Sequence, residues 1–455
     1  MNKLFGTDGI RGEVGKYPLT PQALFTLGRT LGIWLKEKYP QKDSLKIALG
    51  KDTRASGDEL EIALLSGAQS LDIRAIRLGV CPTPAVAYLA RVLGAQMGLA
   101  ISASHNPGSD NGIKFFDAEG YKLLPLVEEQ IEQIFFTQKS QHQDCNIKLE
   151  NISQEKDCSQ LYLNFIKEIL SQFNLSNLRV VVDCACGSFS EIAPKLFQEL
   201  RATVFAINNR PDGNNINANC GTLHPQAMSA KVLQEQADLG VAFDGDGDRL
   251  IVADERGNIL DGDQILAILT RYLYQKKRLK RNSIVSTEMS NIGLELCLRK
   301  LGVKMIRTKV GDKYILEQML KEKINLGGEQ SGHIILLDNS TTGDGLIIAA
   351  ELIKIMLENK TSLSRLAQDF QKYPQVLVNV KVSKKKPLEE IPGYNDTFNR
   401  AQKQLGSSGR IFVRYSGTEN LARIMVEGSE NSLVSAVADS LAGIIENELG
   451  ENKCS

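Results

Sequence analysis

The sequence predicts an α/β protein: three mixed α/β domains followed by a smaller C-terminal α+β domain. Three observations carry that prediction. The length, 455 residues, suits three or four domains at roughly 150 residues each. Three times an apolar, strand-like run passes through a polar loop into a helical pattern. Beyond residue 370 the pattern changes to alternating strands that flank a polar loop, with helices before and after.

In chain order, the first strand-to-helix unit is "KIALGKDTRASGDELEIALLSGAQSL" (46–71). The second is "RVVVDCACGSFSEIAPKLFQEL" (179–200) and the third "SIVSTEMSNIGLELCLRKLG" (283–302). Val, Ile and Leu runs bounded by turns and followed by helices at 3.6 spacing indicate buried strands in β-α units. The polar stretch 137–157 separates the first unit from the second, and "VADERGNILDGDQ" (252–264) reads as a hairpin or crossover into the third. In the last region, "VLVNVKV" (376–382) is a strand, a helix is expected from about Pro387 to Leu405, and "RIFVRYSGTENLARIMVEG" (410–428) gives two strands before a final helix. The expected domains are 1–152, 153–252, 253–370 and 371–455.

Composition removes several function classes. Lys plus Arg and Asp plus Glu each total 54, so there is no global field for nucleic acid or an anionic membrane. The basic runs 276–281 and 384–386 lack interleaved aromatics and read as solvated faces. No secretory signal and no spanning apolar stretch is evident, so a cytoplasmic protein is expected. The eight cysteines form no CxxC pair, and Cys184 and Cys186 read as small core residues at a strand end.

The chemistry concentrates in loops. "GVAFDGDGDRLIVAD" (240–254) places Asp244, Asp246 and Asp248 two residues apart between apolar flanks. Carboxylates so crowded repel unless a cation neutralises them, and hard divalent cations take such oxygen ligands. With Glu255 the spacing matches positions 1, 3, 5 and 12 of a calcium EF-hand. That loop, however, needs Gly at position 6 and helical flanks, whereas Arg249 and strand-like runs stand here. A Mg²⁺ site is the better fit, with open positions for water, a substrate phosphate or another segment's side chain.

"AISASHNPGSDNGIKFF" (100–116) sets Ser104 at the tip of a turn-forming loop, with Lys114 ten residues on. Neither a serine-hydrolase triad nor a G-x-S-x-G elbow is supported. "LGGEQSGHIILL" (326–337) brings Glu329, Ser331 and His333 to the edge of a strand. In an extended segment Glu329 and Ser331 point the same way and could hold vicinal sugar hydroxyls. "RYSGTENLAR" (414–423) combines Arg414, Ser416, Gly417, Thr418 and Arg423 into a phosphate cradle. "FGTDGIRG" (5–12) adds Arg11 on a glycine-rich loop.

Taken together, FGTDGIRG, GKDTR, SASHNP with DNGIKFF, DGDGDR, GGEQSGH and RYSGTEN occur in the order in which they stand in the α-D-phosphohexomutase family, and the chain resembles that family's bacterial amino-sugar branch along essentially its whole length. The resemblance implies four domains around a central cleft. It implies that Ser104 is a phosphoryl carrier and, through its phosphate, a metal ligand with Asp244, Asp246 and Asp248. Arg11 and Lys114 would lie near the transferred group, Lys114 as a candidate acid/base, with His333 nearby. Glu329 and Ser331 would read sugar hydroxyls, and Arg414, Ser416, Gly417, Thr418 and Arg423 would grip the non-reacting phosphate.

The implied reaction interconverts glucosamine 6-phosphate and glucosamine 1-phosphate through glucosamine 1,6-bisphosphate, with one Mg²⁺ and phosphorylated Ser104, feeding amino-sugar nucleotide and cell-wall precursor synthesis. The implied partner is a small sugar phosphate, with no nucleic acid or membrane; a homodimer is an open possibility. The alternatives are a glucose or mannose phosphate mutase of the same family, a non-catalytic sugar-phosphate sensor and a magnesium-dependent phosphatase. The sequence departs from the family's amino-sugar branch at Gly108 and Ser109, Cys186, and Thr222 and Leu223.

Overall fold

The computed structural model describes residues 3–6, 8–139, 153–154, 158–416 and 419–450. The chain divides into two compact units, residues 1–287 with 308–367 and residues 288–307 with 368–455.

In the larger unit, the first two expected β-α units form; of the third, strand Ser283–Thr287 belongs to this unit and helix Ile292–Lys300 to the smaller one. Strand Lys46–Lys51 leads to helix Gly57–Gln69, and strand Arg179–Asp183 to helix Ile192–Glu199. The first sheet is six-stranded and mixed, in the order Ile10–Glu13, Asp110–Phe116, Met97–Ile101, Lys46–Lys51, Arg74–Val80, Ser153–Gln154. Its last three strands run parallel to their neighbours, and its first two are antiparallel. Ser153–Gln154 falls within the expected linker, so that stretch contributes a strand to the first sheet; most of the remainder, residues 140–152 and 155–157, lies outside the described residues. Helix Pro21–Lys38 packs on this sheet; it begins with Pro at its first position and the Thr20 side chain accepting from Ala23 N. Leu24, Leu27, Leu31, Leu49, Leu64 and Leu99, each 1% exposed or less, share one core. Full burial of such a side chain stabilises the fold by about 1.5–3 kcal/mol.

The second sheet has five strands in the order Ile259–Leu260, Leu250–Asp254, Leu239–Phe243, Arg179–Asp183, Thr203–Ile207. Leu239–Phe243 and Leu250–Asp254 are buried throughout and antiparallel, with Phe243 opposite Leu250, so residues 244–249 form a tight reversal. Residues 252–264 are a hairpin rather than a crossover: Leu250–Asp254 pairs with Ile259–Leu260, and a capping box between Asp261 and Gln264 then starts helix Gly262–Gln275. Strand Ser283–Thr287 lies parallel to Leu326–Gly328, which pairs antiparallel with Ile334–Leu336.

In the smaller unit, Gln375–Lys381, Leu421–Glu427 and Arg410–Tyr415 form an antiparallel sheet with Leu421–Glu427 at its centre. Its core includes Val380, Ile424 and Val426 from the sheet and Val434, Leu441 and Ile445 from helix Asn431–Leu449. The expected helix from Pro387 is shorter. A single turn, Leu388–Glu390, precedes a helix that starts only at Tyr394, because Pro392 and the left-handed Gly393 (φ +77°) interrupt the pattern. Among the described residues no helix is long and apolar enough to cross a membrane. Cys184 and Cys186 are buried, as the sequence suggested.

Candidate active site

Strand Met97–Ile101 and strand Asp110–Phe116 are antiparallel neighbours, with Ala100 opposite Lys114 and Ile101 opposite Ile113. The reversal between them carries Ser104, whose φ of +53° is left-handed and uncommon for a residue with a Cβ. The sequence placed Ser104 at the tip of a turn-forming loop, and the structure leaves it 1% exposed. Its loop is folded inward because both of its backbone polar groups find buried partners. Ser104 N donates to Ser102 Oγ at 2.9 Å, and Ser104 O accepts from Arg54 Nη2 at 3.0 Å and Asn217 Nδ2 at 2.9 Å. Ser104 Oγ donates to Asp244 Oδ2 at 2.7 Å.

Asp244, Asp246 and Asp248 are buried on the reversal that follows Phe243, and ligand-capable oxygens from all three lie within 4.8 Å of one another. Gly247 (φ +76°) lets the loop rest on Phe189, whose ring stands 2.3 Å from where a Cβ would be. Lys114 Nζ donates to Asp246 Oδ2 at 2.7 Å and to Asp248 Oδ2 at 2.6 Å. Burial, with Asp248 and Asp246 adjacent, holds the Asp244 carboxyl well above its ordinary pKa. Burial opposes ionisation of Asp248 too, but Lys114, His333 and Arg249 outweigh it and hold that carboxyl well below the ordinary range.

Among the described residues, the buried oxygens Asp246 Oδ1 and Asp248 Oδ1 have no hydrogen-bond partner. Three convergent carboxylates with two orphaned oxygens fit a hard divalent cation. Glu255, the twelfth position of the calcium pattern, instead accepts from Ser364 N at 3.2 Å, and the flanks of the loop are strands.

Around this centre the structure adds residues that the sequence reading left without roles. Arg11 Nη2 donates to Asp8 Oδ2 at 2.6 Å, and Asp8 also lies 3.5 Å from Lys114 Nζ. Lys122 pairs with both Asp8 and Asp312. His333 stands between two carboxylates, with Nδ1 3.6 Å from Asp248 Oδ1 and Nε2 3.5 Å from Asp312 Oδ2. Burial works against its protonation, yet Asp248 and Asp312 raise its pKa. Burial, with Arg249 and Arg11 near, pushes His105 down to about 4. The outcome is a buried array of alternating charge with Arg11, Lys114 and His333 beside the aspartate loop.

Glu329 and Ser331 are brought together, but by a different route from the one expected. Strand Leu326–Gly328 ends before them and residues 329–332 form a turn rather than an extended segment. Ser331 Oγ donates to Glu329 Oε2 at 3.2 Å and Gly311 N donates to Glu329 Oε1 at 3.1 Å. The turn lies against Gly262, where a Cβ would stand 2.0 Å from Glu329 O.

In the smaller unit, Arg414 and Arg423 are direct cross-strand partners. Arg423 Nη2 donates to Glu419 Oε2 at 2.8 Å, and its buried Nε has no partner among the described residues. Ser416 is 4% exposed, and its carbonyl accepts from Lys385 Nζ at 2.7 Å, so one residue of the 384–386 run, read as a solvated face, buttresses this loop. Gly417 and Thr418 lie outside the described residues. The 276–281 run is solvated apart from Leu279.

Family models match along the chain: phosphoglucomutase/phosphomannomutase alpha/beta/alpha domain I at residues 2–142, domain II at 160–257, domain III at 261–373 and the C-terminal domain at 377–444. A phosphoglucosamine mutase of Carboxydothermus hydrogenoformans is 48% identical over 98% of this chain and all of its own length. One from Staphylococcus haemolyticus is 44% identical over 99% of this chain and all of its own. Among solved structures, a phosphoglucomutase/phosphomannomutase family protein of Burkholderia thailandensis superposes with a TM-score of 0.79 at 21% identity, covering 99% of this chain and 98% of that one. An Aspergillus fumigatus N-acetylphosphoglucosamine mutase in complex with GlcNAc-6P and magnesium gives 0.63 at 17%, covering 98% and 96%.

Proposed function

The chain belongs to the phosphoglucomutase/phosphomannomutase family, and on that premise we propose that it is the isomerase that interconverts glucosamine 6-phosphate and glucosamine 1-phosphate through a phosphorylated Ser104. The observation that carries this reading is the 2.7 Å hydrogen bond from Ser104 Oγ to Asp244, which puts the only hydroxyl of the loop's strained residue against the carboxylate cluster. The curated relatives, phosphoglucosamine mutases covered over their full length, supply the sugar.

The Ser104 Oγ–P bond breaks as the sugar O1–P bond forms, giving glucosamine 1,6-bisphosphate and a free Ser104. The bisphosphate turns end for end, its O6–P bond breaks as Ser104 Oγ–P re-forms, and glucosamine 1-phosphate leaves. In the first step one proton passes from the sugar hydroxyl to Ser104 oxygen, and the second step reverses that transfer; Lys114 and His333 are the buried groups at hand to carry it. Arg11 and Lys114 cancel charge on the moving phosphoryl group. Mg²⁺ held by Asp244, Asp246, Asp248 and the Ser104 phosphate would add charge cancellation on that group.

Glu329 and Ser331 are assigned to the sugar hydroxyls. Arg414 and Arg423, with Ser416, Gly417 and Thr418, are assigned to the other phosphate. Like charges placed directly across two strands repel, and a bound dianion between them removes that cost. The domain limits 152, 252 and 370 belong to this reading.

Wild-type rates with glucosamine, glucose and mannose 6-phosphates, measured side by side, test it. A clear preference for glucosamine is expected. Preference for glucose or mannose moves the protein to another member activity of the family, and release of free phosphate at the rate of sugar turnover makes it a phosphatase.

A further inference from the structure

Arg54 lies just beyond the end of strand Lys46–Lys51, on a polypeptide segment remote in sequence from the serine loop, and its side chain is fully buried. Its guanidinium spends its donors on that loop. Nη2 donates to Ser104 O at 3.0 Å and Asn106 O at 2.9 Å, and Nη1 donates to Pro107 O. Asp52 fixes the fork: its Oδ2 accepts from Arg54 Nε at 2.9 Å and from Ser102 Oγ at 2.6 Å, and its Oδ1 from Arg54 N at 3.0 Å. Ser102 Oγ in turn accepts from Ser104 N.

From the opposite side, Asn217 Nδ2 donates to Ser104 O at 2.9 Å and to Asn106 O at 3.1 Å. Asn217 is itself left-handed (φ +59°) and is tied through its N–H to Ala185 O at 2.9 Å. The same segment touches the loop again, since a Cβ on Gly108 would stand 2.8 Å from Asn214 O. A serine held at φ +53° persists only where its surroundings over-determine it.

We propose that Arg54, oriented by Asp52, and Asn217 form a two-sided clamp of positioning residues that holds the peptides flanking Ser104, leaving Oγ in one place for phosphoryl transfer in either direction. Neither residue touches the reacting atoms. Their work is done through three carbonyls, which a planar guanidinium can span and a lysine ammonium cannot. The inference rests on the phosphoserine reading of the site.

The test compares Arg54→Lys, Asn217→Gly and Ser104→Ala with wild type, recording kcat, KM for glucosamine 6-phosphate, melting temperature and Ser104 phosphorylation by glucosamine 1,6-bisphosphate. Glycine at 217 keeps the left-handed backbone while removing the donor. Loss of alignment should lower kcat by about 10²-fold in Arg54→Lys and about 10-fold in Asn217→Gly, with KM within about threefold of wild type. The clamp is overturned if either variant keeps wild-type kcat, or if kcat falls only in step with the folded fraction. Should Arg54→Lys fail to fold, Asn217→Gly decides. An inactive Ser104→Ala beside fully active clamp variants removes the clamp alone, whereas an active Ser104→Ala removes the phosphoserine reading itself.

Discussion

Ser104 Oγ donates a 2.7 Å hydrogen bond to Asp244 Oδ2 across 140 residues of sequence. The serine stands on a reversal of the first sheet and the aspartate on a reversal of the second, so the contact ties two separately built loops into one centre.

A cation should stabilise the fold measurably. Three buried carboxylates converge within 4.8 Å, and Lys114 bonds only two of them. Chelator-treated protein should gain about 2.7 kcal/mol from Mg²⁺ at 100-fold its dissociation constant. Asp246→Asn and Asp248→Asn should blunt the gain. Thermal melts with and without Mg²⁺ check this, and a wild-type melting temperature indifferent to saturating Mg²⁺ contradicts it.

The sugar-facing turn should be separable from the phosphoryl centre. Ala at position 262 would drive a Cβ to 2.0 Å from Glu329 O and 2.8 Å from Gly332 N, displacing the turn that pairs Glu329 with Ser331. Gly262→Ala and Glu329→Gln should each raise KM for glucosamine 6-phosphate about 10-fold or more. Phosphorylation of Ser104 by the bisphosphate, followed by mass spectrometry, should survive the first substitution. Unchanged KM in both variants would count against the assignment.

Asp344 gives stability a pH dependence. It caps helix Gly345–Asn359, accepting from Leu346 N at 3.1 Å, Ile347 N at 3.0 Å and Tyr162 Oη at 2.7 Å. Burial pushes its carboxyl up from 3.8 to about 6. Because the folded value is the higher one, the folded chain binds more protons inside that window, and stability falls as pH rises through it, by roughly 3 kcal/mol. Asp344→Asn keeps the capping acceptor and cannot ionise. Its stability relative to wild type should therefore improve between about pH 4 and pH 7. A difference in melting temperature that is flat with pH contradicts the assignment.

Glu427 is fully buried at the end of its strand and accepts from Arg410 Nε at 2.8 Å and Ile292 N at 3.1 Å. Burial raises its pKa even with Arg410 in place. Arg410→Ala leaves that carboxylate without its main cation and should cost about 3–5 kcal/mol. Glu427→Gln, which removes the charge and keeps an acceptor, should cost less. Denaturant titration of both variants measures the order, and the reverse order refutes it.

The sequence displayed what is local and hid what is long-range. Asp244, Asp246 and Asp248 are legible because repulsion among neighbours in the chain needs no fold to be noticed. The strand-loop-helix units are legible because uninterrupted apolar runs such as Val180–Val182 have no other use. Ser104 was found, but its burial was not, since the groups that draw its loop inward are Arg54 and Asn217, distant in sequence. Asp8, Lys122 and Asp312 were invisible for the same reason: each matters only through the partners the fold supplies. GKDTR stands among the ordered motifs, yet spacing alone does not say that Arg54 reaches three carbonyls, nor that Asp312 faces His333. The helix expected from Pro387 is longer than the one that forms because helical periodicity runs through Pro392 and Gly393, which delay its start to Tyr394.

The most direct measurement is the rate at which Ser104→Ala interconverts glucosamine 6-phosphate and glucosamine 1-phosphate when supplied with the bisphosphate and Mg²⁺. On the proposed phosphoserine reading, removing the Ser104 hydroxyl should lower kcat by on the order of 10⁴-fold or more, with the fold and the Mg²⁺-dependent melting shift retained. Isomerisation at the wild-type rate would contradict the account.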